Sequence, residues 1–306
     1  MFNLLYIDWQ PTQELFHIGA LPIRLYSLCW IVGILLAYLI VKYLYRRQGI
    51  DPEPDRHGVL QYNGKFDPLL FYCFIGVLLG ARLGHCIFYD PAYYFSSFRH
   101  VLEILLPVEF ATESWDWVYT GYAGLASHGG TAGLFLAILL YCHRNKVKVM
   151  TVLDMIGIAA PATAGFIRLG NLMNSEIIGD VTTVPWAFIF HTRSAMVDGM
   201  LVPRHPSQLY ESLAYFAIFL VGWIIYKRQT PEKSRIGTGF YFGFCLSTIF
   251  LFRFFIEFLK EAQGGADDGS TWLDMGQMLS IPFIIAGIYC MTRWRKNGSQ
   301  DKQNPA

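Results

Sequence analysis

Seven stretches of this chain stay apolar for about twenty residues at a time, at roughly 22–44, 68–90, 121–142, 150–172, 206–226, 236–260 and 275–293. Each approaches the ~20 residues a helix needs to cross the hydrocarbon core of a bilayer. The third and fourth are the least uniform, because glycine and polar residues interrupt them. The pattern predicts an all-α polytopic membrane protein with seven transmembrane helices. No cleavable leader is expected: the first twenty residues are mixed, without a basic start, and the first apolar run is long enough to span.

Composition agrees with that reading. Of the 306 residues, 54% are hydrophobic and only 15% charged, with a mean hydropathy of +0.34, whereas soluble domains carry about 25% charged residues. A net charge of +1 without a basic tract gives no reason to expect a nucleic acid partner. The cysteines at 29, 73, 86, 142, 245 and 290 sit in or beside apolar runs and form no Cys-x-x-Cys pair. They read as small buried hydrophobes rather than as a disulfide framework or a zinc site.

Lysine and arginine in the connections set the expected orientation. Arg46, Arg47, Arg56 and Lys65 follow the first run, Arg144, Lys146 and Lys148 the third, Lys227, Arg228, Lys233 and Arg235 the fifth, and Arg293, Arg295 and Lys296 the seventh. The alternate connections hold only Arg99, Arg193 and Arg204. The N-terminus is therefore expected outside and the C-terminus in the cytoplasm. Residues 1–297 form one catalytic domain in this reading, followed by a polar cytoplasmic tail, 298–306. It has outer insertions at about 91–120 and 173–205, the second forming a small extramembrane unit. The first is rich in aromatics, among them Tyr93, Phe98, Trp115 and Trp117, with acids at Glu103, Glu109, Glu113 and Asp116, and is expected to rest on the outer membrane surface. In the second, Val181–Val184 and Ala187–Phe190 flank Pro185-Trp186 and are expected as short strands. Internal repeats, common in secondary transporters, are not visible.

With that orientation, six helices deliver polar groups to the outer-leaflet half: Tyr26, Arg82, His128, Arg168 with Asn171, Gln208 with Glu211, and Arg253 with Glu257. Arg168 and Asn171 are three apart and so share a helix face, and Arg253 and Glu257 form an i, i+4 pair of opposite sign. Asp154, four turns from Arg168, is too deep to pair with it. Charges inside a membrane are expensive and normally face a protein interior with a partner. Single members have plainer readings: Tyr26 as an interfacial anchor, Glu211 and Glu257 as neutralisers that fix helix packing, His128 as a bridge between helices. Their coincidence at one depth, over nearly bare inner halves, favours a shared site. Two arginines facing the outer leaflet suit a phosphate, since the guanidinium fork matches its oxygens. His-Glu-x-x-His, an Asp-rich motif, a Walker loop and Gly-x-Ser-x-Gly are all missing from the sequence, so no metal or other cofactor is expected. A phospholipid-using enzyme fits these residues. A lipid transporter or scramblase would use the same arginines as a headgroup site but needs a polar path to the cytoplasmic half, and a purely structural scaffold leaves the buried charges unexplained.

The stretch Gly165-Phe-Ile-Arg168-Leu-Gly170-Asn171-Leu-Met-Asn174-Ser-Glu176-Ile-Ile-Gly179 closely resembles the signature of prolipoprotein diacylglyceryl transferases, Gly-Arg-x-Gly-Asn-Phe-x-Asn-x-Glu-x-x-Gly. The resemblance extends, in the family's order, to Gly80-Ala-Arg82-Leu-Gly84, Ser127-His128-Gly129-Gly130, Arg204-His205-Pro206-Ser207-Gln208-Leu209-Tyr210-Glu211 and Arg253-Phe-Phe-Ile-Glu257. Ile167 stands where the signature has glycine and Leu172 where it has phenylalanine. The resemblance implies a multi-pass enzyme of the bacterial cytoplasmic (inner) membrane whose site faces the outer leaflet. Its partners would be membrane lipid, phosphatidylglycerol as donor, and preprolipoprotein signal peptides whose lipobox cysteine is the acceptor. The diacylglyceryl group would pass to that thiol as a thioether, releasing glycerol phosphate. On this reading Arg168 takes the lipid phosphate with Arg253 and Asn171, His128 is the base, and Tyr26, Asn171, Glu176 and Glu257 position the reactants. Arg82, Asn174, Gly179, Gln208 and Glu211 support the site.

Overall fold

The computed structural model describes residues 6–18, 21–51, 64–111, 115–121, 124–230, 234–260 and 273–300. Arg56, Glu113, Lys233 and the tail from 301 onward lie outside the described residues. The helices are α1 (Leu25–Arg47), α2 (Phe66–Phe88), the short α3 (Pro91–Tyr94) and α4 (Phe98–Glu103), α5 (Ser127–Asn145), α6 (Val149–Met173), α7 (Ser207–Lys227), α8 (Phe240–Ile256) and α9 (Met275–Gln300). A backbone surrounded by hydrocarbon must bond its own N–H and C=O groups, which is why long apolar runs become helices. The helix of α9 carries on through residues expected to begin the polar tail.

Six of the described helices are long and apolar enough to cross a membrane: α1, α2, α6, α7, α8 with its following turn, and α9 as far as Arg293. The expected third span differs. The run at 121–142 is helical only from Ser127, and Ser127, His128 and three glycines leave α5 short of the apolarity of the other six. His128 therefore sits in the first turn of its helix.

The chain divides into two compact units, residues 45–152 and residues 1–44 with 153–306. In the first, α2 and α5 meet backbone to backbone. A Cβ on Gly80 would stand 2.4 Å from the Gly129 carbonyl, and one on Gly133 only 2.1 Å from that of Gly76. Only glycine permits such an approach, and small residues four apart are the usual device for close helix packing in lipid. Outside the helices, β4 (Val108–Phe110) pairs antiparallel with β5 (Trp117–Tyr119).

The other unit carries the helices that bear the Arg168, Glu211 and Arg253 motifs. Here α8 and α9 also pack through small residues, with Gly287 against the Gly243 carbonyl and Ser247. Asp154, the lone deep acid, acts on the backbone. Its fully buried carboxylate accepts N–H bonds from Gly237 (2.8 Å), Gly239 (2.9 Å) and Phe242 (2.9 Å). It thus caps α8 from α6, supplying the anion a helix N-terminus favours. Beyond the helices, β1 (Ile7–Trp9) lies parallel to β6 (Phe188–Phe190), which pairs antiparallel with β9 (Pro203–Arg204). The strand expected at 181–184 reduces to one bridge, Val181 with Arg204, because β1 and β9 occupy both edges of β6. Phe188 and Phe190 pack with Leu172, Ile178 and Ala195 into a small core, and Trp9 Nε1 donates to the Leu172 carbonyl at 3.0 Å. Leu172 is 2% exposed, so its departure from the signature is absorbed in packing.

Candidate functional site

The end of α6 builds the site. Ser175 N–H bonds Leu172 O and Glu176 N–H bonds Asn171 O (3.0 and 3.1 Å), with Ser175 in the left-handed region at φ 53°. This is a Schellman-type termination in which serine takes the place usual for glycine. It turns Glu176 back so that Asn171 Nδ2 donates to Glu176 Oε1 at 2.7 Å. Two residues on, Ile177 has φ 58°, a backbone that a β-branched residue adopts only under constraint. Such strain costs about 1–3 kcal/mol and is held where the surroundings over-determine it.

The Arg204–Glu211 motif supplies that constraint. Ser207 Oγ donates to Ile177 O (2.8 Å), Gln208 Nε2 to Glu176 O (2.6 Å), and Arg204 Nη1 to Gly179 O (3.3 Å). Gly179 N–H bonds His205 O at 3.0 Å, and Asp180 N–H bonds Leu259 O at 2.9 Å. A Cβ on Gly179 would fall 2.6 Å from Leu259 O and 2.7 Å from His205 Cβ, so the signature glycine is where three segments converge. His205 sits outside the spanning helices, and burial lowers its pKa against an opposing pull from Asp180.

Around this loop the charged groups are ordered. Arg168 is mostly buried; its Nε lies 2.7 Å from Glu211 Oε2, and its Nη1 donates to Asn171 Oδ1 at 3.3 Å. The face shared by Arg168 and Asn171 is thus as expected. Glu211 is completely buried and meets a second cation, Lys260, at 2.9 Å. Lys260 also pairs with Glu257 at 3.4 Å. That corrects the expected Arg253–Glu257 pair: the chain leaves α8 as a 3-10 turn from Glu257, and Glu257 lies instead against Gly276 in the first turn of α9. Among the described residues, half-buried Arg253 has no carboxylate partner. Tyr215, buried one turn beyond Glu211, lies within electrostatic reach of both Arg168 and Arg253. Tyr26, in the first turn of α1, packs its ring over Gly170. Asn174 makes no side-chain hydrogen bond to a described residue.

Of the predicted residues, Tyr26, Arg168, Asn171, Asn174, Glu176, Gly179, Gln208, Glu211, Arg253 and Glu257 fall in one unit; Arg82 and His128 belong to the other. Buried Arg82 donates to Glu103 O (2.7 Å) and Ile104 O (3.3 Å) and lies over the Tyr94 ring, tying α2 to the segment beyond α4. His128 is exposed. Sequence reasoning missed Lys260; its spacing of three from Glu257 was the available signal.

A family model described as prolipoprotein diacylglyceryl transferase matches residues 13–293. A Bacteroides fragilis protein named phosphatidylglycerol–prolipoprotein diacylglyceryl transferase is 52% identical over 296 residues, 97% of this chain and 98% of the relative. Proteins of the same name from Porphyromonas gingivalis (38% identical; 95% of this chain, 96% of the relative) and Tolumonas auensis (37%; 92% and 95%) are also similar.

Proposed function

The chain belongs to the prolipoprotein diacylglyceryl transferase family, and on that premise we propose that it transfers the diacylglyceryl group of phosphatidylglycerol to the lipobox cysteine of preprolipoproteins. The observation that carries this reading is the pair of arginines at Tyr215. Arg168 is oriented by Glu211 and Asn171, while Arg253 meets no carboxylate among the described residues. In the reaction the cysteine sulfur attacks the glycerol carbon that bears the phosphate. The carbon–oxygen bond breaks, its electron pair leaves on glycerol phosphate, and the thiol proton passes to a base. A phosphodiester leaves carbon poorly unless its developing charge is stabilised, and fixed guanidinium donors in a site shielded from water do that. Arg253 meets the phosphate and Arg168 holds it in a fixed orientation. In this reading Tyr26, Asn171, Glu176 and Glu257 position the reactants, and Arg82, Asn174, Gly179, Gln208 and Glu211 play supporting parts.

The same reading makes α5 the third of seven spans, places the N-terminus outside and the C-terminus in the cytoplasm, and treats residues 1–297 as one catalytic domain of the bacterial cytoplasmic membrane, its site open to the outer leaflet. The basic residues at Arg46, Arg47, Arg144 and Arg228 support that orientation. Membranes holding the protein, given phosphatidylglycerol labelled in its acyl chains and a lipobox peptide, should yield a labelled thioether peptide. Movement of labelled lipid between leaflets without that product would overturn the reading in favour of a transporter. In sealed cells, a cysteine introduced at Ser97 should react with an impermeant thiol reagent and one at Arg228 should not; the reverse pattern sinks the orientation.

His128 serves as the base in this scheme. His128→Gln keeps a hydrogen-bonding group but cannot take the thiol proton, so turnover near pH 7 should fall about 10²-fold. Raising the pH towards the ~8.5 of a free thiol should restore part of it, because more acceptor is already thiolate. A pH profile parallel to the parent's would remove His128 from that role.

A further inference from the structure

The arrangement around Glu176 leaves one buried polar atom unexplained. Gln208 is completely buried on α7, three residues before Glu211 and hence on the same face. Its Nε2 donates to the Glu176 carbonyl at 2.6 Å. That bond fixes the amide's orientation, since turning it over would set oxygen against oxygen. Gln208 Oε1 is then an acceptor, and among the described residues it has no donor. Buried polar atoms are nearly always bonded, so an exception of this kind needs a partner the chain does not provide. The group is joined to Arg168 by a run of hydrogen bonds: Arg168 to Asn171, Asn171 to the Glu176 carboxylate, and Gln208 to the Glu176 carbonyl.

Arg168, Arg253 and Lys260 can only donate. They suit a phosphate and offer nothing to a hydroxyl proton. Resting on the function proposed above, we propose that Gln208 Oε1 accepts a hydrogen bond from a hydroxyl of the headgroup glycerol. Gln208 thereby makes the site specific for a polyol headgroup. Donors at one end of the network hold the phosphate, and an acceptor at the other end holds the alcohol.

The test compares phosphatidylglycerol with phosphatidylpropanol, which has the same phosphate and acyl chains but no headgroup hydroxyl, using the full-length protein in detergent with a lipobox peptide. The parent should favour phosphatidylglycerol in kcat/KM by at least about tenfold, because a site built to bond a hydroxyl rejects the analogue lacking it. Gln208→Met should collapse that ratio to within about threefold of unity, through loss of the phosphatidylglycerol rate. Gln208→Asn, which keeps the amide but withdraws it by one methylene, should also lower the ratio, and it decides the matter if the methionine variant does not insert. A ratio unchanged in the variants means that water or packing alone satisfies Gln208, and the proposal fails; equal use of both lipids by the parent overturns it as well. Thioether product from the parent with either lipid upholds the transferase reading whatever the ratio. Its absence with both lipids overturns the two together.

Discussion

Arg168→Lys is expected to insert normally and to lose about 10²–10³-fold in transferase turnover. The substitution keeps the charge, so buried Glu211 retains a cation and the helix packing survives. What disappears is the planar fork. In the parent, Nε engages Glu211 and Nη1 engages Asn171. An ammonium on a flexible stem cannot hold those positions and also face a phosphate. The loss should fall mainly on kcat, because the guanidinium acts on charge that develops as glycerol phosphate departs. Thioether yield per mole of inserted protein, at saturating lipid, is the measurement. Turnover near the parent's would remove Arg168 from the site.

Glu211→Gln should be the most damaging change to stability. The carboxylate is completely buried and serves two cations, Arg168 at 2.7 Å and Lys260 at 2.9 Å. Neutralising it leaves Arg168 without this carboxylate and, among the described residues, leaves Lys260 with the 3.4 Å contact to Glu257 alone. Removing one partner from a buried ion pair typically costs about 3–5 kcal/mol, chiefly because the remaining charge stays buried. Thermal unfolding in detergent should show a loss of that order. Glu211→Gln combined with Lys260→Met should lose less than the single change, because one stranded charge has gone. A single variant as stable as the parent would mean that water reaches this pair.

The spans were legible because an apolar run in lipid has one economical backbone solution, and α2, α6 and α7 lie within a few residues of where hydropathy put them. Spacing on one helix was legible too, as with Arg168 and Asn171. Long-range pairing was not. Nothing local links Glu211 to Lys260, 49 positions away, and the i, i+4 rule pointed Glu257 to Arg253 although Lys260, three residues further on, is its partner. The start of α5 was misjudged because Gly121, Ala126 and Leu125 read as apolar, although the chain becomes helical only at Ser127. β1 was invisible: three residues make a strand only when β6 is there to receive them.

The cap from Asp154 has a consequence for the length of α8. At one end, Asp154 grips the main chain at Gly237, Gly239 and Phe242; at the other, Leu259 and Lys260 are bonded to the Gly179–Asp180 turn. One anchor lies on α6 and the other on the turn that follows it, so α8 is a gauge block clamped between two jaws of one tool. Its residue count sets the height of Arg253 above the lower jaw. One inserted residue would turn the guanidinium by about 100° and raise it by ~1.5 Å, with no slack at either jaw to undo the change. Among the helices of this unit, α8 is therefore the one in which side chains can be exchanged far more readily than positions can be added or removed.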